Sequence, residues 1–156
     1  MMRDPVKTVG GIADKAKFAY LSYLDAEGFP TTRAMLAPRE REGIRVFYLT
    51  TNTSSRKAAA FRENPKASLY FADTRFYRGV SLSGTVDILE DPESKARIWR
   101  EGDEIYYHHG VTDPDYCVLL RWQLNNRQRN NIQFNAVLLA PCGATAKHGK
   151  YYFGNP

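Results

Sequence analysis

The sequence predicts a mainly β chain with a few short helices, in which six antiparallel strands form a closed or nearly closed barrel. Three observations carry that expectation. Six short apolar-rich runs read as strands, and those at 44–49 and 80–88 show the two-residue period directly. Short turns rich in Gly, Asp, Asn and Pro separate most of these runs, as in antiparallel barrels. Helical spacing or helix-start signals occur in only a few places.

Taken in order, residues 5–16 place Val6, Val9, Ile12, Ala13 and Ala16 on one face of a short amphipathic helix. Residues 18–24 read as a strand, and Asp25-Ala26-Glu27-Gly28 as a hairpin turn leading to a second strand at 31–37. Residues 38–43 read as a charged turn. Ile44, Val46 and Tyr48 alternate with Arg45, Phe47 and Leu49 in the third strand. A hydroxyl-rich turn follows, then helix-forming Ala58-Ala59-Ala60-Phe61, stopped by Asn64-Pro65. The fourth strand is 67–71, followed by a loop at Asp73-Thr74-Arg75. In the fifth, Val80, Leu82, Gly84, Val86 and Ile88 alternate with Ser81, Ser83, Thr85 and Asp87. Asp91-Pro92-Glu93 supplies a cap, an N1 proline and a first-turn acid, so a helix runs to about Arg100, with a second short one over 104–107. The sixth strand is 116–122. Residues 1–123 thus form one domain. Residues 124–156 form a C-terminal extension: a polar, basic loop from Leu124 to Gln133 and room for one more strand at 134–139.

The chain has 156 residues, 43% of them hydrophobic and 25% charged, enough for one domain with a real core. Its net charge of +5 favours anionic ligands without choosing among them. Cys117 and Cys142 lack metal-type spacing, and Cys117 lies in an apolar strand pattern as a core thiol. No stretch of about 18 apolar residues and no secretory leader is readable, so a cytoplasmic protein with no membrane partner is expected. His108 and His109 are adjacent and His148 is distant, so no metal site is expected. The sequence has no G-x-S-x-G elbow and no G-x-G-x-x-G or Walker loop. The Asn/Gln/Arg run at 125–133 lacks interleaved aromatics, which argues against nucleic acid as its ligand.

The chemistry gathers at residues 46–57. A strand stops at Thr50-Thr51-Asn52-Thr53-Ser54-Ser55 and a helix begins at Arg56-Lys57, with Thr53 or Ser54 as the expected N-cap. Hydroxyls, orphan backbone N–H groups and two cations at a helix start suit an anion such as a phosphate monoester. Hydroxyl caps followed by a basic residue are common on helices that bind nothing. Arg33, one hairpin upstream, adds a guanidinium fork for phosphate oxygens.

Arg33-Ala34-Met35-Leu36, Val46-Phe47-Tyr48, Thr51-Asn52-Thr53-Ser54-Ser55-Arg56-Lys57-Ala58 and Asn64-Pro65-Lys66-Ala67-Ser68-Leu69 together resemble the flavin-binding core of the pyridoxamine 5′-phosphate oxidase family. In size and layout the chain is most similar to that superfamily's small general-stress-protein type members, over roughly residues 18–122. The resemblance implies an FMN-binding split β-barrel homodimer, with FMN across the subunit interface. By it, Arg33, Ser55, Arg56 and Lys57 hold the FMN phosphate. The main chain of Ala34, Met35 and Leu36, with Thr50 and Thr51, lines the ribityl chain and ring. It also implies that Tyr106, ahead of a G-x-x-D-P turn, approaches the flavin, often from the partner, with Trp99 a second candidate. Both positions read equally well as core or interface packing.

The chain departs from the oxidase proper in three places. Pro38 stands where that enzyme has a substrate lysine, Gly79 stands where a glutamine is expected, and the C-terminal Arg/His substrate motif has no counterpart. The expectation is therefore a flavin-dependent oxidoreductase that oxidises pyridoxamine phosphate poorly, with no assignable catalytic residue. The alternatives are a non-catalytic flavin-binding stress module, or a related barrel using F420 or heme, the latter with His108 or His109 as axial ligand.

Overall fold

A computed structural model describes residues 4–76, 78–123, 132–133 and 152–153. Helix α1 (Pro5–Lys15) precedes strands β1 (Phe18–Leu24), β2 (Pro30–Leu36), β3 (Glu40–Glu42) and β4 (Val46–Asn52). Helix α2 (Arg56–Glu63), β5 (Lys66–Asp73), β6 (Arg78–Leu89), α3 (Pro92–Ile98) and β7 (Tyr116–Gln123) follow, with 3₁₀ turns at Asp103–Ile105 and Gly110–Thr112. The strands form a seven-stranded sheet in the order β2-β1-β5-β6-β7-β4-β3, and every ladder is antiparallel. A separate two-residue ladder joins Ile132–Gln133 to Tyr152–Phe153. The strand expected at 134–139 lies outside the described residues, as do Cys142 and His148.

The six expected strands are present, and β3 is added in the segment expected to be a charged turn. The sheet curls but does not close: β2 and β3 are its two edges. The curl brings the β4 side chain Phe47 within 5.4 Å of Phe71 on β5, between ring centroids, although those strands are three places apart in the sheet. Helix α1 lays Val9, Ile12, Ala13 and Ala16 into this interior, whereas Val6 is 41% exposed. Helix α2 inserts Phe61, whose ring lies 5.1 Å from that of Tyr23. Among the described residues, no helix is long and apolar enough to cross a membrane.

Strand β4 is buried on both sides. Phe47 and Leu49 join the main core, while Val46 and Tyr48 face a second cluster with Ile98, Tyr107 and Tyr116. A strand flanked by apolar groups on both faces is held rigidly. That rigidity is useful, because its C-terminal end carries the site.

Candidate functional site

Strand β4 runs three residues beyond Leu49. Its register on β7 slips between Leu49 and Thr50, skipping Leu119 on the partner strand. Such a bulge re-aims the residues that follow it. Thr51 is then buried opposite Cys117, and Asn52 is exposed opposite Tyr116. Cys117 is a fully buried free thiol, as expected of a core cysteine, and burial pushes its pKa up.

The turn from β4 into α2 is fastened by Asp115, at the entrance to β7. The Ser54 N–H donates to Asp115 Oδ1 at 2.8 Å, and Asn52 Nδ2 donates to Asp115 Oδ2 at 2.7 Å. The Thr53 N–H donates to the Asp115 carbonyl at 3.0 Å. The Ser54 N–H, and after it the Asn52 amide, hold the Asp115 carboxyl below its usual pKa. On the other side of the turn, the Tyr107 hydroxyl donates to Asn52 Oδ1 at 3.2 Å. Burial, reinforced by Asp115 and Asp103, pushes the Tyr107 phenol up to about 12, so it remains a donor at neutral pH.

The N-cap of α2 is Ser55, rather than Thr53 or Ser54, because β4 extends further than the alternation indicates. Its side chain accepts from the Ala58 N–H at 3.3 Å. The Ala59 N–H is taken by the Ser55 carbonyl, and the Ser55 N–H by the Asn52 carbonyl. The N–H groups of Arg56 and Lys57 have no partner among the described residues. These are the orphan donors that a helix start offers to an anion.

Arg33 reaches the same place from β2. In the β1–β2 ladder it lies opposite the buried Leu21, on the inward face, and β2 packs against β4. Its charge is felt by Lys57, which is partly buried on the first turn of α2. Burial first, and then Arg33, lower the Lys57 pKa from its ordinary 10.5. Arg39, Arg41, Arg62, Arg78 and Arg97 each hold a carboxylate. Arg33, Arg56 and Lys57 hold none among the described residues. Cations near free N–H groups, with no described carboxylate paired to them, are the arrangement that can hold a compact anion carrying more than one negative charge.

The structure therefore sets Ser55, Arg56 and Lys57 at the start of α2, with Thr50 and Thr51 leading into the turn, and places the exposed Arg33 within electrostatic reach of Lys57. Ala34 and Leu36 are exposed on the edge strand, and Met35 is buried between them. Tyr106 is 71% exposed, and its side chain makes no hydrogen bond or ring contact among the described residues. Its neighbour Tyr107 is the residue tied to the site's turn. Trp99 packs edge-on against Tyr116 at 4.9 Å in the second cluster. His109 Nδ1 lies 3.3 Å from Asp113 Oδ2, and no group of three potential metal ligands occurs among the described residues. Asn52, Tyr107 and Asp115 were not expected at the site. The only local signal for Asp115 is its place after Asp113-Pro114, which marks a turn and not what the turn touches.

Residues 8–127 match the family model described as pyridoxamine 5′-phosphate oxidase. The chain is 32% identical over 104 residues to a pyridoxine/pyridoxamine 5′-phosphate oxidase of Zymomonas mobilis, a match covering 62% of this chain and 53% of that protein. The chain thus spans about half the length of that curated relative. It is similar to a solved structure from Clostridium acetobutylicum, a protein of the pyridoxinephosphate oxidase family related to general stress protein 26. That likeness has a TM-score of 0.74 and 28% identity, and covers 96% of this chain and 93% of the other. An F420 reductase structure shares the fold, with a TM-score of 0.56 and 18% identity, covering 80% of this chain and 97% of the other.

Proposed function

The chain belongs to the pyridoxamine 5′-phosphate oxidase family, and from that premise we propose that it binds FMN and acts as a flavin-dependent oxidoreductase. The observation that carries the proposal is the juxtaposition of Arg33 and Lys57 at the open start of α2, unpaired with any described carboxylate. A phosphate monoester satisfies both cations and the Arg56 and Lys57 N–H groups at once. The flavin, when bound, supplies the hydride or electron transfer.

The chain's own residues bind and orient. Arg33, Lys57 and Ser55 hold the phosphate, and the exposed edge of β2 at Ala34–Leu36 offers main-chain groups to the rest of the cofactor. Asp115 and Tyr107 keep the turn in place through Asn52. A second copy of the chain completes the site. Support for this comes from the outer face of β1 and β2, where Phe18 lies opposite Leu36 in register and the two are 50% and 58% exposed. Pro38 offers no ammonium to a substrate, so slow turnover of pyridoxamine phosphate is expected.

The test is to add excess FMN or riboflavin to the purified protein, desalt, and record flavin absorption and elution volume. The expected result is FMN retained in a dimer-sized peak, with riboflavin washed out. Arg33→Ala is expected to weaken FMN binding about ten- to a hundredfold, the loss of one charge-assisted contact. Riboflavin held as firmly as FMN would overturn the phosphate assignment, and retention of F420 in place of FMN would overturn the choice of flavin.

A further inference from the structure

Gly79 on β6 is a glycine for an unusual reason. Gly28, Gly43, Gly102 and Gly110 have positive φ, which favours glycine outright. Gly79 is not among them; space restricts it instead. A Cβ there would lie 2.1 Å from Tyr70 Oη, 2.5 Å from Cζ and 2.9 Å from Cε2. The Tyr70 phenol therefore crosses from β5 onto the backbone of β6 and fills the place of a side chain at 79.

The hydroxyl that is brought there has no hydrogen-bond partner among the described residues, although Tyr70 is partly buried. It is not one of the buried unpaired side-chain atoms, so it is open to a ligand. Other hydroxyls of this face are paired: Ser68 with Ser81 at 3.0 Å, and Ser22 with Thr32 at 2.8 Å. Tyr70 also stands in a row that leads to the proposed cofactor site. It lies opposite Tyr20 in the β1–β5 ladder, with ring centroids 6.4 Å apart, and Tyr20 lies opposite Ala34 in the β1–β2 ladder. Ala34 is the residue after Arg33, on the other face of edge strand β2. A ligand with its anion at Arg33 and Lys57 can thus pass the free edge of β2 and lay a ring across Ala34 and Tyr20 toward Tyr70. The span from Ala34 to Tyr70 is two strand spacings, roughly 10 Å.

We propose that Tyr70 is a ligand-binding residue whose hydroxyl donates to an acceptor on the polar edge of the cofactor ring, and that Gly79 is kept small to admit it. This rests on the FMN reading above and assigns the group that reads the ring, as Arg33 and Lys57 read the phosphate. Tyr70→Phe removes the hydroxyl alone and keeps the packing over Gly79. Gly79→Ala displaces the phenol.

The experiment titrates FMN into the wild type, Tyr70→Phe, Gly79→Ala and the double variant, following flavin fluorescence, with thermal melts of the apo forms as folding controls. The expected result is a three- to tenfold loss of FMN affinity in Tyr70→Phe, about the scale of one neutral hydrogen bond. A similar loss is expected in Gly79→Ala, with no further loss in the double variant, because both changes remove the same contact. Competition by inorganic phosphate should be unchanged in Tyr70→Phe. Wild-type affinity in Tyr70→Phe would overturn the assignment of the hydroxyl while leaving FMN binding intact. Equal binding of riboflavin and FMN by the wild type would instead overturn the phosphate reading, and with it the path by which a ring reaches Tyr70.

Discussion

Lys57→Met gives the sharpest prediction, because it separates what the site does for folding from what it does for binding. The Lys57 ammonium is partly buried on α2 and faces Arg33, and both effects lower its pKa. A base whose folded pKa lies below its unfolded value binds its proton less tightly in the native state. Stability therefore rises as pH climbs through the folded pKa toward the unfolded one. Below that window the Lys57 charge opposes folding. Methionine keeps the length and apolar stem while removing the charge. The apo variant is expected to gain roughly 0.5–1 kcal/mol, the scale of a partly exposed charge pair. For a domain of this size that is a rise of about 1–4 °C in Tm. FMN binding is expected to lose roughly 1.5–3 kcal/mol for the missing charged hydrogen bond, or about ten- to 150-fold in Kd. Apo thermal melts and a fluorescence titration with FMN read the two effects independently. A variant that binds FMN as the wild type does would refute the phosphate assignment. A destabilised apo variant would refute the claim that this cation is held against the interest of the fold.

Two further predictions concern the groups around the turn. In Asp115→Asn, one oxygen can still accept from the Ser54 N–H, but the new amide meets the Asn52 amide donor to donor. FMN affinity is expected to drop about three- to tenfold, and adding Asn52→Asp should restore most of it by reversing the pair; no recovery in the double variant would show that the amide–carboxylate contact does not set the turn. The wild-type Asp115 carboxyl has a lowered pKa, so its contribution to stability is present above the ordinary carboxylate range and is lost as pH falls through the folded value. Asp115→Asn should show a shallower loss of Tm on acidification, and an unchanged slope would count against the contact. Tyr116 is fully buried and its hydroxyl has no hydrogen-bond partner among the described residues. Tyr116→Phe should therefore leave Tm unchanged or raise it by about 2–4 °C, for at most about 1 kcal/mol of relieved desolvation; a clear fall in Tm would mean that the hydroxyl is satisfied.

The strands were legible because the sheet buries one face of most of them, and that imposes a two-residue period on the sequence. Strand β3 was not, because nothing in Glu40-Arg41-Glu42 is apolar. Its place is set by distant partners: Arg41 holds Asp14 of α1, and Arg97 of α3 meets Glu40 and lies over the Tyr48 ring. The end of β4 was misplaced for a related reason. Thr50, Thr51 and Asn52 carry turn-forming side chains, yet their main chain pairs with β7 after a bulge that the sequence does not mark. Moving the strand end by three residues moves the cap from Thr53 or Ser54 to Ser55.

The same division runs through the site. The cations were legible because the residues themselves are the chemistry, and Arg56-Lys57 sit one step inside a helix start. What fixes them in position was not, because Asp115 reaches Ser54 and Asn52 from about sixty positions along the chain. Tyr106 and Tyr107 follow the 3₁₀ turn at Asp103–Ile105, where one step along a three-residue turn swings the side chain by about 120°. Tyr107 went inward to Asn52, and Tyr106 outward to 71% exposure. An inward tyrosine steadies the turn of its own subunit, whereas an outward one is placed to meet whatever docks on this surface. The family resemblance implies that Tyr106 approaches the flavin, often from the partner subunit. The outward position leaves the Tyr106 ring free for such a contact, whereas an inward one, like that of Tyr107, would not.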